Sequence, residues 1–75
     1  MAPAEIWQGG KLVNLIKGLN THTGKIDGVE IQVEDGGNAP GCKFIRFDGK
    51  PITKGYLSIG DSKTLDGGEI VKSVK

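Results

Sequence analysis

One stretch of sequence, Lys43-Phe44-Ile45-Arg46-Phe47-Asp48-Gly49-Lys50-Pro51-Ile52-Thr53-Lys54, decides the fold. Two β-prone runs flank Asp48-Gly49, and this dipeptide tolerates the positive φ angles of a two-residue hairpin turn. A turn there predicts a surface hairpin with these opposed pairs: Phe47 and Lys50, Arg46 and Pro51, Ile45 and Ile52, Phe44 and Thr53. Side chains alternate along a strand, so one face carries Ile45, Phe47 and Ile52 and the other carries Phe44, Arg46, Pro51 and Thr53.

Pro51 is compatible with this register. In a two-residue hairpin the second pair from the turn is not hydrogen-bonded, so the N–H that Pro51 lacks would have pointed away from the partner strand. The proline therefore predicts that strand 50–54 lies at the edge of its sheet, with no neighbouring strand at Pro51.

The composition predicts one small domain with a thin core. The chain has 75 residues, of which 36% are hydrophobic, and its aromatic residues are Trp7, Tyr56 and two phenylalanines. A chain of this length buries roughly 60% of its unfolded surface. The 13 glycines increase the conformational entropy lost on folding. We therefore expect a partner subunit or another ligand to contribute to stability.

Charge and cysteine content narrow the classes of function. The net charge is +1 and Arg46 is the only arginine, which argues weakly against sequence-specific recognition of nucleic acid. The single cysteine, Cys42, forms neither an internal disulfide nor a Cys-based zinc site. No signal peptide is recognised, and the apolar runs are too short for a membrane helix. We expect a protein of the cytoplasm or of a larger assembly, with no membrane partner.

The pattern along the chain predicts a mainly β fold, a single antiparallel sheet or barrel-like domain of five to six short strands spanning 1–75. Val29, Ile31 and Val33 alternate with polar residues and give the clearest strand. Residues 1–10 contain a short strand or form an extended N-terminal arm. Across residues 11–19, the apolar spacing i, i+3, i+4 and i+7 predicts a short helix, with a strand as an equal alternative.

The sequence predicts no catalytic, cofactor-binding or metal-binding residue. His22 is the only histidine and is expected to be a solvated residue of a turn over Thr21–Gly24. Cys42 has no predicted base beside it, and the glycines near Lys25 do not have the spacing of a phosphate-binding loop. We therefore expect neither an enzyme nor a cofactor.

The segment Phe44–Val71 carries a local resemblance. Its order of strand, Asp-Gly turn, strand and a closing Asp66-Gly67-Gly68 turn is similar to the last part of ubiquitin-like β-grasp domains and of one family of small RNA-binding domains. The resemblance covers well under half of the chain, and the first forty residues lack the helices that both families have there. It implies RNA binding as an alternative function.

We predict a non-enzymatic protein-interaction or structural module that assembles with itself or within a larger complex. The alternative is a small β-domain that binds RNA or DNA, with Phe44 stacking on a base and cations on the same face contacting phosphates. The loop Asp35–Cys42 is predicted either to contact a partner or to reach a non-adjacent strand. The candidate interaction residues are Trp7, Gly36, Gly37, Asn38, Pro40, Phe44, Arg46, Lys54, Tyr56 and Ile59, and Lys43 joins the nucleic-acid face.

Overall fold

The computed structural model describes residues 3–46 and 53–75, and they form two antiparallel sheets. The strands in chain order are β1 (Ala4–Gln8), β2 (Lys11–Ile16), β3 (Thr21–Ile26), β4 (Val29–Glu34), β5 (Cys42–Arg46), β6 (Thr53–Leu57), β7 (Ser62–Thr64) and β8 (Ile70–Ser73). Sheet A has the order β2-β1-β8-β7, and sheet B has the order β3-β4-β5-β6. Sheet A therefore combines an N-terminal and a C-terminal hairpin, whereas sheet B is a continuous meander.

Two of the hairpins close through two-residue turns with positive φ. Gly9 and Gly10 join β1 to β2 with φ of 59° and 78°, and Asp27 and Gly28 join β3 to β4 with φ of 53° and 76°. Positive φ at both central positions is the type I′ geometry, whose twist matches that of paired strands. Asp27-Gly28 thus closes the β3–β4 hairpin.

One small apolar core lies between the sheets. Sheet A contributes Ala4, Ile6, Ile16 and Val71, sheet B contributes Ile31, Val33 and Cys42, and Leu65 enters from the loop before β8. Phe44, Ile26 and Leu57 pack at its border. Each fully buried branched side chain stabilises the fold by roughly 1.5–3 kcal/mol. The alternation predicted for β4 is confirmed, because Ile31 and Val33 are fully buried while Glu30 is exposed.

The predicted class, a small antiparallel mainly β fold, is confirmed, but three details differ. The described residues form eight strands in two packed sheets, where five to six strands were expected. Residues 4–8 form β1, an interior strand of sheet A and not an extended arm. Of the two alternatives for 11–19, the helix is wrong and the strand is confirmed, because Lys11–Ile16 is strand β2. A bulge in the β1–β2 ladder breaks the alternation of β2, and this produces the helix-like spacing.

The predicted hairpin register is also wrong by two residues. Strands β5 and β6 pair as expected, but Arg46 lies opposite Thr53, Ile45 opposite Lys54 and Phe44 opposite Gly55. A turn dipeptide expresses only a local preference, whereas packing along the whole β5–β6 ladder sets the register. The turn itself, with Phe47, Pro51 and Ile52, lies outside the described residues. A register shift of two residues moves no side chain to the other face, so Phe44 and Ile45 still point to opposite faces. Strand β6 lies at the edge of sheet B, as predicted.

A carboxylate connects the two sheets at one end of the molecule. Asp66, in the loop before β8, accepts hydrogen bonds from the turn amides of Asp27 (3.1 Å) and Gly28 (2.8 Å). The N–H of Asp66 donates to the carbonyl of Lys25 in β3 (3.0 Å). The neighbouring Leu65 fills the space above Gly24, where a Cβ would lie 2.6 Å from Cδ1 of Leu65. This loop of sheet A therefore holds the β3–β4 hairpin of sheet B.

We expect Asp66→Ala to lower the free energy of unfolding by about 1–2 kcal/mol. Hydrogen bonds to charged groups are worth roughly 1.5–3 kcal/mol, and exposure at this position reduces that value. Thermal unfolding followed by circular dichroism measures the loss, which corresponds to roughly 4–8 °C per kcal/mol in a domain of this size. Asp61→Ala is the control, because the Asp61 carboxylate accepts no hydrogen bond from the described residues. Equal losses in the two variants would contradict the inter-sheet role of Asp66.

Candidate interaction surface

An apolar strip lies on edge strand β2 of sheet A. Its members are Leu12, Val13 and Leu15, whose exposed fractions are 47%, 53% and 41%. We call these three residues the β2 strip. Large apolar side chains grouped on an unpaired strand are unusual on a monomer surface, since an edge strand also offers free backbone N–H and C=O groups. The strip therefore combines apolar surface with a strand edge that pairs with no other strand among the described residues.

The bulge in β2 brings the two leucines to one face. Leu15 lies opposite Glu5 and Leu12 lies opposite Trp7, and the register shifts between those pairs. Glu5 and Trp7 are two residues apart in β1, so both point to the outer face of sheet A. Leu12 and Leu15 therefore share that face, although a three-residue spacing in a regular strand would place them on opposite faces. Val13 is the additional residue that the bulge accommodates.

Trp7 extends the strip towards the middle of the sheet. Its indole Nε1 donates to a carboxylate oxygen of Glu5 at 3.0 Å. The Nζ of Lys72 lies 4.5 Å from the ring centroid, within the range of a cation–π interaction. Trp7 also lies opposite Ile70 of β8. The ring is thus held in place between β2 and β8, with Glu5 and Lys72 as charged neighbours.

The loop Asp35–Cys42 connects strands that are neighbours in sheet B. The expected connection to a non-adjacent strand is therefore wrong. Among its candidate residues, Gly37, Asn38 and Pro40 are exposed, whereas Gly36 is buried. A Cβ at Gly36 would clash with the carbonyl oxygen of Gly41, so the loop is packed against itself. Contact of this loop with a partner stays a prediction.

The Asp35 carboxylate holds the crossover between the sheets. It accepts hydrogen bonds from the N–H of Gly37 (2.5 Å) and from the N–H of Gly18 (3.0 Å), and Gly18 lies between β2 and β3. The backbone N–H of Gly37, and then that of Gly18, lower the pKa of Asp35 below its ordinary value of 3.8. The loop therefore fixes the chain where it passes from sheet A to sheet B.

A depression of about 300 Å³ lies beside this contact. Its lining includes Leu19, Asn20, Asp35 and the pair Glu34 and Lys43. The Nζ of Lys43 is 3.4 Å from a carboxylate oxygen of Glu34, and Asp35 is engaged by backbone amides. The charged side chains that line the depression therefore already have partners within the protein.

The hairpin face proposed for nucleic acid is not assembled as predicted. Phe44 packs against the core, on the face where it pairs with Val33. Lys43 lies opposite Tyr56 and Glu34 on the outer face of sheet B. The register places Lys54 opposite Ile45 and Arg46 opposite Thr53. Lys43 is next to Phe44 in β5, so these two side chains point to opposite faces.

The last two candidates lie apart from the β2 strip. Tyr56 is 56% exposed on the outer face of sheet B, and Ile59 is exposed between β6 and β7. Trp7 and Tyr56 are therefore on opposite sides of the molecule. Sequence reasoning missed Leu12, Val13 and Leu15, because two of them were assigned to the apolar stripe of a helix. The sequence signal that could have identified them is the break in alternation at Val13.

The potentially reactive side chains are engaged within the fold. His22 lies in β3, contrary to the expected solvated turn, and its Nε2 is 2.6 Å from Oε2 of Glu69 next to sheet A. Cys42 is fully buried, and burial raises the pKa of its thiol. Within residues 3–46 and 53–75, no three His, Cys, Asp or Glu side chains form a group that could hold a metal ion.

Comparisons with protein-family models, curated proteins and solved structures find no match to this chain. In the part of the chain that the structure describes, no helix is long and apolar enough to cross a membrane.

The lowered pKa of Asp35 predicts a loss of stability in acid. Because its folded-state pKa is below 3.8, the unfolded chain takes up the proton first as the pH falls. Asp35 contributes fully to the free energy of unfolding at pH values above its ordinary pKa of 3.8. This contribution decreases as the pH falls towards the folded-state pKa, and it is lost below that pKa. Urea unfolding across this range measures the effect.

Asp35→Asn should be less stable at neutral pH and should lose this part of the acid dependence. Glu30→Gln, which changes an exposed carboxylate of β4, is the matched control and should retain it. An unchanged acid slope in Asp35→Asn would show that the two backbone hydrogen bonds do not produce the dependence.

Proposed function

We propose that this chain is a non-enzymatic interaction module that assembles with copies of itself through the β2 strip. The observation that carries the proposal is the grouping of three half-exposed apolar side chains on one unpaired edge strand. Burial of apolar surface stabilises by roughly 25 cal/mol per Å². The free backbone groups of the edge add directional hydrogen bonds. The proposed location is the cytoplasm or a larger assembly.

The thin core supports the same proposal. Binding that requires the folded state stabilises it by mass action, and a chain with few buried side chains gains proportionally more. Association would also cover Leu12 and Leu15 without disturbing the packed interior, because both lie on the outer face of sheet A. Strand β2 can therefore form an interface with its outer face while its inner face stays packed in the core.

The available area supports a transient interaction. A standard interface buries about 800 Å² on each partner, which is roughly a sixth of the 4648 Å² accessible surface of this chain. A four-stranded sheet of five-residue strands covers on the order of 300 Å² in plan. The outer face of sheet A alone is therefore smaller than a standard interface. We expect dissociation constants in the micromolar range or weaker.

The nucleic-acid alternative stays a prediction. Its remaining support is that Arg46, Lys43 and Lys54 lie in one hairpin. Lys43 and Phe44 are adjacent in β5, so they do not form the predicted shared face. Binding that weakens as salt concentration rises would favour it.

We expect the double variant Leu12→Lys, Leu15→Lys to weaken self-association by about 2–3 kcal/mol, a factor of roughly 30–150 in Kd. Two half-exposed leucines would no longer be buried, and like charges would oppose each other at the edge. Sedimentation equilibrium from about 1 μM to 1 mM covers the expected range. Monomer stability should change by less than about 0.5 kcal/mol per exposed site.

The double variant Leu19→Lys, Ile59→Lys is the matched control. It makes the same change of charge at two exposed apolar residues outside β2, and it should associate as the natural chain does. If the control loses association while the β2 variant retains it, the interface lies elsewhere on the chain. A natural chain that is monomeric at every concentration contradicts the proposed function.

A further inference from the structure

We infer that the occupant of the β2 edge is β2 of a second copy, paired antiparallel about a two-fold axis between Val13 and Asn14. This inference rests on the proposed self-association and specifies its geometry. The two copies of sheet A then form one continuous eight-stranded sheet. Such an interface is isologous, because each strand presents the same surface to the other.

The other described edges are less suited to pairing. Strand β7 has three residues, all polar and all exposed. The outward carbonyl of Lys25 in β3 already accepts the N–H of Asp66 at 3.0 Å, so the loop before β8 covers part of that edge. Strand β6 is described only from Thr53 onwards, and Gly55 leaves no side chain near its centre. The β2 edge has six residues and carries the apolar strip.

The register follows from self-complementarity. With the axis between Val13 and Asn14, Leu12 lies opposite Leu15 of the second copy, and Leu15 lies opposite Leu12 of the second copy. The bulge has already placed both leucines on the outer face. All four leucines then meet on one surface of the joined sheet, and directly opposed apolar pairs stabilise a ladder.

The two neighbouring registers are less favourable. An axis at Asn14 sets Lys11 opposite Lys17 of the second copy, and like charges directly opposed destabilise a sheet. It also sets Leu12 opposite Ile16, whose side chain is fully buried on the inner face. An axis at Val13 sets Lys11 opposite Leu15 of the second copy. Only the intermediate register joins the leucines and separates the lysines.

Asn14 makes this pairing reversible. Its side-chain Oδ1 accepts the N–H of Leu15 at 2.9 Å, and a local bond of this kind competes with pairing to another strand. On association the Leu15 N–H donates to the second copy, and Asn14 releases it. Natural edge strands commonly carry devices that limit uncontrolled pairing, and here Asn14 and the bulge have that effect.

Cysteine cross-linking tests the register. Chains carrying Leu12→Cys and chains carrying Leu15→Cys are mixed in equal amounts in a glutathione redox buffer, and dimers are measured by intact mass without reductant. A disulfide needs Cα atoms about 4.4–6.8 Å apart. Opposed positions meet this limit, whereas Leu12 of one copy and Leu12 of the other are separated by about 10 Å or more.

We expect the mixture to give several-fold more covalent dimer than either variant alone. The natural chain, whose Cys42 is fully buried, and a Leu19→Cys chain measure the background. Asn14→Ala should tighten self-association several-fold in sedimentation, because the Leu15 N–H is then free. Weaker association in Asn14→Ala would overturn the role given to Asn14.

The outcomes separate the inference from the proposed function. A chain that associates in a manner sensitive to Leu12→Lys, Leu15→Lys but gives no excess of mixed cross-link retains the function and overturns this register. Equal cross-linking in the mixture and in the single variants overturns it as well. A chain that remains monomeric and gives no cross-link overturns both, and leaves the β2 edge to an extended segment of another protein.

Discussion

The pairing of β1 with β8 is the interaction on which the rest of the structure depends. Sheet A consists of two hairpins that are far apart in sequence, and among the described residues this ladder alone joins them within the sheet. An isolated two-stranded hairpin is marginally stable at best in water. On the inner face the same ladder sets Ile6 opposite Val71, so it also assembles half of the core. The outer face, with the Trp7 ring between β2 and β8, exists only when these strands are joined.

Two carboxylates, those of Asp66 and Asp35, join the two sheets to each other. Asp66 holds the β3–β4 turn against the C-terminal hairpin, and Asp35 holds the crossover from β2 to β3. Each accepts two backbone N–H groups that would otherwise need water or another partner. The sheets are thus joined at two separate places by aspartate side chains. These hydrogen bonds add stability to a domain whose apolar core has few side chains.

The sequence predicted those parts of the fold in which local pattern and tertiary structure agree. The alternation over β4 and the antiparallel β class are of this kind, because Ile31 and Val33 alternate in sequence and are both buried. The helix alternative for 11–19 is wrong because the bulge in β2 gives its apolar residues a helix-like spacing. That bulge depends on the pairing of β2 with β1. The predicted register of β5 and β6 was wrong because a turn dipeptide is a local preference, whereas the register depends on packing along the whole ladder. The β2 strip was missed because the exposure of Leu12 and Leu15 depends on which strand lies at the edge of the sheet.

The order of the strands has a consequence during synthesis. The ribosome releases β1 and β2 first, but β8 begins only at Ile70. At about 5–20 residues per second, the N-terminal hairpin waits roughly 3–12 s for its partner strand. During this interval both edges of the hairpin are open, and one of them is the most apolar edge among the described strands. Nascent chains on neighbouring ribosomes are thus exposed to pairing with one another, and a weak, reversible edge reduces the risk that such contacts become permanent.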